Sequence, residues 1–258
     1  LAFKFLSTAD QTYHWGLLDR EVYLAIWIVC FTMLGFYLLG KLKFKNDSDL
    51  EYIGIFRLVL AIIDFTFVVY MLPGMWGAPL KALSGYLPPI ETQDFVLQGG
   101  AVAVPAAESH DGQSELPHGL TGYTTLEEGL AAARESGKPV FVDFTGKGCT
   151  NCREMEARVW SDPQVLQLLR DEYVLVALYC DIKDKLPESE WVTTASGKVL
   201  KDVGRKNSWI ARERFGVNSQ PNYALLSPEG ELLVPVRGYD LSIDGFVTFL
   251  KSGLTSMN

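Results

Sequence analysis

Residues Val22 to Leu39 contain no charged side chain. About 18 such residues, at a rise of ~1.5 Å each, nearly cross a hydrocarbon core of ~30 Å. A second run, Ile53 to Leu72, is also long enough but is interrupted by Arg57 and Asp64. The chain is 48% hydrophobic and yet carries a formal charge of −8. Both facts hold together only if the apolar residues are segregated, which predicts two transmembrane α-helices, at Glu21–Gly40 and Tyr52–Leu72, with the lipid bilayer as a partner. Tyr23, Trp27, Tyr37, Tyr70 and Trp76 are among the aromatics of these spans and their flanks. The acidic balance argues against nucleic acid as a partner.

Around this hairpin (20–76) the chain divides into an interfacial segment (1–19), a juxtamembrane segment and linker (77–119) and a soluble domain (120–258). Gly77 to Pro89 is expected to form a short interfacial helix. Gln98 to Gly119 is rich in Gly, Ala, Ser, Pro and acid and has no periodic apolar face, which predicts a linker. The chain opens on Leu1 without a basic start or a small-residue cleavage site. It therefore reads as the C-terminal piece of a longer membrane protein. The loop between the spans carries Lys41, Lys43 and Lys45. Basic residues in short loops stay cytoplasmic, whatever Asp47, Asp49 and Glu51 contribute, so both chain ends are expected outside the cytoplasm.

From Leu120 an α/β rhythm begins. Thr124 or Thr125 caps a helix to about Ser136, with Glu127 and Glu128 in its first turn. Val140–Phe144 is a strand. Asp162 and Pro163 start another helix, and Tyr173–Tyr179 is the next strand. Lys183 to Val203 reads as an irregular insertion, and Ser208 to Phe215 as a helix stopped by Gly216. Tyr223–Leu226 and Leu232–Val236 are strands of a hairpin turned at 227–231. Ile243–Leu250 is a closing amphipathic helix.

Cys149-Thr150-Asn151-Cys152 lies between the strand Val140–Phe144 and a helix beginning near Arg153. The turn delivers two thiols to a helix N-terminus, where backbone N–H groups and the helix dipole stabilise a thiolate, the species that attacks disulfides. Two intervening residues make one helical turn, so the two sulfurs can close into a disulfide. A zinc half-site or an inert structural disulfide are the other uses of this spacing. Zinc needs about four ligands, and Cys30, Cys180, His14, His110 and His118 show no ligand spacing. No metal is expected, and no cofactor beyond the redox-active pair Cys149 and Cys152.

The order strand, Cys-x-x-Cys helix, strand, helix, hairpin, helix resembles thioredoxin over about Leu120–Leu254, which implies a thioredoxin-like α/β fold, a central mixed sheet flanked by helices. Asp143 stands where thioredoxins carry a buried acid beneath the disulfide. Gly216-Val217-Asn218-Ser219-Gln220-Pro221 resembles the segment with their cis-proline. One departure is Gly148, where a Trp usually precedes the first cysteine, leaving the loop more permissive. With two spans and a linker in front, the chain resembles the C-terminal part of the DsbD-type thiol:disulfide interchange proteins, or protein-disulfide reductases; Phe141–Asp162 and Ser161-Asp162-Pro163-Gln164-Val165 are much like that family.

The resemblance implies a bacterial inner-membrane, multi-pass protein with a periplasmic redox domain. That domain takes electrons from a membrane electron-transfer domain missing from this chain and passes them to extracytoplasmic thiol-disulfide proteins, cytochrome c biogenesis being one family outlet. Catalytic roles fall to Cys149 as attacking thiolate, Cys152 as resolving thiol, Asp143 as proton relay and Pro221 as a backbone element close to the sulfurs. Lys147 is either an aid to the thiolate or a solvated loop lysine. Cys30 and Cys180 are packing residues; Arg57 snorkels to the near interface; Asp64 bonds a helix of the absent core; Trp160, Trp191 and Trp209 are ordinary core or surface aromatics. An oxidase or isomerase, or a redox-silent binding module, are the competing functions.

Overall fold

The computed structural model describes residues 2–13, 15–45, 47, 51–88, 90–93 and 113–257. Residues 98–112 of the expected linker, Asp49, His14 and His110 lie outside the described residues.

Helix α1 (Ala2–Tyr13) precedes α2 (Arg20–Leu38) and α3 (Ile55–Met71). The last two are long and apolar enough to cross a membrane, α3 with the 3₁₀ turn Leu72–Trp76 that extends it. They run antiparallel: Tyr23 and Leu24 pack with Val68 and Met71, Phe31 meets Phe67 at 4.9 Å, and Phe36 meets Phe65 at 5.7 Å. Gly35 permits the close approach, since a Cβ there would lie 2.6 Å from the Phe65 ring and 2.8 Å from Asp64 Oδ2. Asp64 is thus buried against α2 of the same hairpin, and its Oδ2 has no hydrogen-bond partner among the described residues. Arg57 donates to the carbonyls of Tyr37 and Leu38 at the end of α2, where Tyr37 O also accepts from Gly40 N–H. Cys30, expected to pack, is exposed on α2.

Segment 77–88 is a run of turns and not a helix. Gly77 and Leu80 have φ of 95° and 44°, and Pro79 lacks a donor, so no helical ladder can propagate. Arg20 holds the segment instead, donating to Pro88, Ala78 and Pro79 carbonyls at 2.7, 3.4 and 3.2 Å.

In the soluble domain β1 (Ser114–Leu116) pairs antiparallel with β2 (Leu120–Gly122). The domain therefore begins inside the expected linker, because Leu116 is buried in the core and the strand must follow it. Then come α4 (Leu126–Ser136), β3 (Val140–Thr145), α5 (Thr150–Met155), α6 (Pro163–Glu172), β4 (Val174–Tyr179), β5 (Val192–Thr193), β6 (Val199–Leu200), α7 (Val203–Phe215), β7 (Asn222–Leu226), β8 (Arg237–Gly238) and α8 (Ile243–Met257). The main sheet has the order β4-β3-β7-β8. β3 is parallel to β4 and antiparallel to β7.

Alternation along β3 builds both sides of the core. Phe141 enters one cluster with Trp160, Tyr223 and Phe246; Val140, Val142 and Phe144 enter the other with Val176, Leu178 and Ala224. Phe141 stacks on Tyr223 at 5.4 Å, and Tyr223 meets Phe246 edge-on at 5.1 Å. Caps mark the helix starts: Thr125 accepts from Glu128 N, Asp162 from Gln164 and Val165 N, and Asp202 from Arg205 N.

Three expectations shift here. Asp202 caps α7, whose first residue Val203 lies five before Ser208, so helix replaces the end of the insertion, and 192–200 folds into the small β5–β6 hairpin. The second hairpin strand, expected at Leu232–Val236, pairs regularly only at Arg237–Gly238; Leu226 makes an isolated bridge to Leu232 before the chain leaves the ladder. Helix α8 continues through Met257, because Leu250, Gly253 and Leu254 still face the core.

Candidate functional site

Parallel pairing of β3 and β4 brings the two carboxyl ends of these strands to one edge of the sheet. The segment Gly146–Gly148 leaves β3 there, and Cys180-Asp181 leaves β4. Asp181 accepts from the N–H groups of Lys147 and Gly148 at 2.9 and 2.7 Å. From the other side, Arg153 donates to the Lys147 carbonyl at 2.5 Å. The turn that carries the first cysteine is thus held at its donors by an acid and at its acceptor by a base. Sequence reasoning missed both residues. Asp181 had a readable signal, an acid just past the end of a strand that neighbours β3; Arg153 had none beyond its place after Cys152.

Cys149 is the N-cap of α5 and Cys152 lies in its first turn. They form a disulfide, S–S 2.01 Å with Cα atoms 5.3 Å apart. Cys149 Sγ accepts from Cys152 N–H at 3.1 Å. Cys149 is half-buried, whereas Cys152 is 1% exposed. Beyond Met155 the helix widens into a π turn, Glu156–Trp160, and the Glu156 carbonyl bonds His118 Nε2 at 2.7 Å. The turn carries Trp160 into the aromatic core beside Phe141 at 5.7 Å.

Asp143 shares the Phe141 face of β3 and is 4% exposed. Its Oδ1 has no hydrogen-bond partner among the described residues. Burial pushes its carboxyl well above the usual range, the Glu156 charge adds to that, and a hydrogen bond with the Thr145 side chain partly offsets it. The Gln220–Pro221 peptide is cis. Gln220 reaches the redox turn, for a Cβ at Gly146 would lie 2.8 Å from Gln220 Oε1.

The Lys147 ammonium sits over the Tyr179 ring, 4.2 Å from its centroid, so its charge is engaged on β4. Cys180 is a packing thiol: burial pushes it up to about 11. Trp191 bears the Lys201 ammonium at 4.2 Å, and Trp209 packs against the second core cluster. A cavity of about 300 Å³ lies between Asp10 and Gln11 of α1 and Gly146, Lys147 and Arg153 of the domain.

Residues 121–228 match the family model described as Thioredoxin-like. Thiol:disulfide interchange protein DsbD of Salmonella typhi is 37% identical over 82 residues, which are 31% of this chain and 14% of that protein. Thiol:disulfide interchange protein DsbD 1 of Pseudomonas aeruginosa is 29% identical over 127 residues, 49% of this chain and 19% of that protein. The match therefore spans less than a fifth of the length of these curated relatives. A solved DsbH oxidoreductase aligns at a TM-score of 0.41 and 20% identity, over 53% of this chain and 85% of that one. The strand–turn–helix that presents Cys149 and Cys152 falls inside the matched segment, and the chain carries a thioredoxin-like domain whose curated relatives are thiol:disulfide interchange proteins.

Proposed function

We propose that this chain is a membrane-anchored dithiol–disulfide oxidoreductase that passes electrons to extracytoplasmic protein disulfides. The observation that carries the reading is the asymmetry of the two sulfurs: Cys149 is half-buried at the head of α5, and Cys152 is shut away behind it. The Cys149 thiolate attacks a partner disulfide; one S–S bond breaks, a mixed disulfide forms, and one partner sulfur leaves as a thiolate. Once Asp143 has ionised, Cys152 gives its proton to that carboxylate and attacks Cys149 Sγ. The mixed disulfide collapses, the second partner thiolate departs, and two electrons have moved from dithiol to partner. Pro221, beside the Gln220 that reaches the turn, keeps an N–H-free edge for the partner strand. The upstream membrane domain supplies the electrons that restore the dithiol.

The potential of the Cys149–Cys152 couple tests direction. Equilibration with glutathione is expected to place it near −270 mV, the value of a reductant; a value near −120 mV would make the protein an oxidant, and no reversible couple would leave only a binding module.

Membrane anchoring is supported by the outward faces of the hairpin, where Val29, Ile62, Ile63 and Val69 are 57–63% exposed. The lysines at 41, 43 and 45 favour a cytoplasmic loop and therefore a periplasmic redox domain. A Lys41→Cys variant in intact cells is expected to resist a membrane-impermeant maleimide until the inner membrane is opened. Labelling from the periplasm would reverse the topology and put the redox domain in the cytosol.

A further inference from the structure

Two glycines flank the first cysteine's turn in space, and neither has a positive φ that would call for glycine. A Cβ on Gly148 would lie 2.4 Å from Thr8 Cγ2 of α1 and 3.3 Å from Asp181 Oδ2. A Cβ on Gly85, in the segment after α3, would lie 2.7 Å from Thr150 Cγ2 and 3.1 Å from Thr150 O. What these positions need is room for a neighbouring element. Lys4 of α1 closes the gap between the two walls, donating to Thr150 Oγ1 and to the Gly85 carbonyl, the latter at 3.3 Å.

Both walls are built without help from the redox domain. Leu80, Leu83 and Leu87 are buried with Tyr23, Leu24 and Met71 of the hairpin, and the Arg20 guanidinium ties down 78–88. Helix α1 is fastened to the approach to α2 by Asp10, whose carboxylate accepts from Leu17 and Leu18 N–H at 3.0 and 3.1 Å. The seat thus belongs to the membrane-proximal part of the chain, and Gly148–Thr150 rests in it.

We propose that α1 and the segment around Gly85 form a docking seat for the Cys149 turn, which leaves it before a protein partner's disulfide-bearing strand can reach the sulfur. The residues on either side of Cys149, Gly148 and Thr150, are the ones covered, so a strand and this seat compete for the same edge. The missing Trp before Cys149 then has a physical cause: only a residue without a side chain lets Thr8 approach. The inference rests on the reading of Cys149 as the attacking thiol, but its test reads access and not electron transfer.

The test uses the full chain in nanodiscs, reduced, on a Cys30→Ser, Cys180→Ser background. Alkylation of Cys149 by a bulky polymer-linked maleimide is divided by its rate with iodoacetamide, which cancels changes in intrinsic thiol reactivity. Gly148→Ala is expected to raise this ratio about tenfold. Adding Thr8→Ala, which removes the methyl in the way, is expected to return the ratio towards wild type. Gly85→Ala raises it from the other wall and serves should Gly148→Ala fail to fold. Ratios unchanged in both glycine variants, or raised equally with and without Thr8→Ala, would overturn the seat. Failure of the wild type to reduce a small model disulfide would instead sink the oxidoreductase reading and leave the ratios readable.

Discussion

Cys152→Ser is expected to accumulate covalent complexes with partner proteins, at least about tenfold more than Cys149→Ser, because only the outer sulfur can be reached. Cys149 is half-buried and its Sγ already accepts a backbone N–H from α5, the kind of bond that holds a thiolate. Cys152 is 1% exposed, so a partner sulfur has no line of approach to it. With Cys149 intact and no resolving thiol, the first exchange proceeds and the second cannot. Non-reducing electrophoresis of acid-quenched cells checks this. Trapping through Cys152 in the Cys149→Ser variant would exchange the two roles.

Asp143→Asn should slow the second exchange and alter the dependence of stability on pH, with the sign set by burial. The carboxyl of Asp143 is held well above its ordinary range in the folded protein, first by burial and then by Glu156. In the unfolded chain it ionises near pH ~4. Between those two values the folded state keeps a proton that the unfolded state has lost. Stability therefore falls as pH rises from about 4 and levels off above the folded pKa, by roughly 1.4 kcal/mol for each unit of displacement. The Asn variant lacks that slope. Its melting temperature should match wild type near pH 4 and equal or exceed it at pH 7, provided the amide finds partners near Thr145. Stopped-flow reduction of a model disulfide across pH gives the kinetic arm. Superimposable pH–rate curves for wild type and Asn would make Asp143 a purely structural acid, and equal melting curves at every pH would deny it a displaced pKa.

Much of this protein was written in local pattern. The uncharged run from Val22, the caps at Thr125 and Asp162, the stop at Gly216 and the apolar strand from Val140 each depend on neighbours a few residues away, so spacing alone exposes them. The pair Cys149 and Cys152 belongs to the same class, since one helical turn separates the thiols whatever the rest of the chain does. Leu116 shows where pattern ends: three residues with no period became strand because one leucine found a core to enter. Asp202 did likewise, moving the start of α7 to where Asn207 and Ser208 donate to the carbonyls of Tyr179 and Cys180.

Residue type and periodicity thus determined two apolar helices, an α/β domain and a paired thiol at a helix head. Tertiary structure alone decided what surrounds that pair. Asp181 and Arg153 hold the turn from elements 33 and 6 residues away in sequence from the atoms they bind, and Thr8 and Gly85 meet it from beyond the soluble domain. Contacts of that range depend on strand order and on how the ends of β3 and β4 line up, and no sequence window records them. The first cysteine's chemistry was therefore legible in its neighbours, while access to it is a property of the assembled chain.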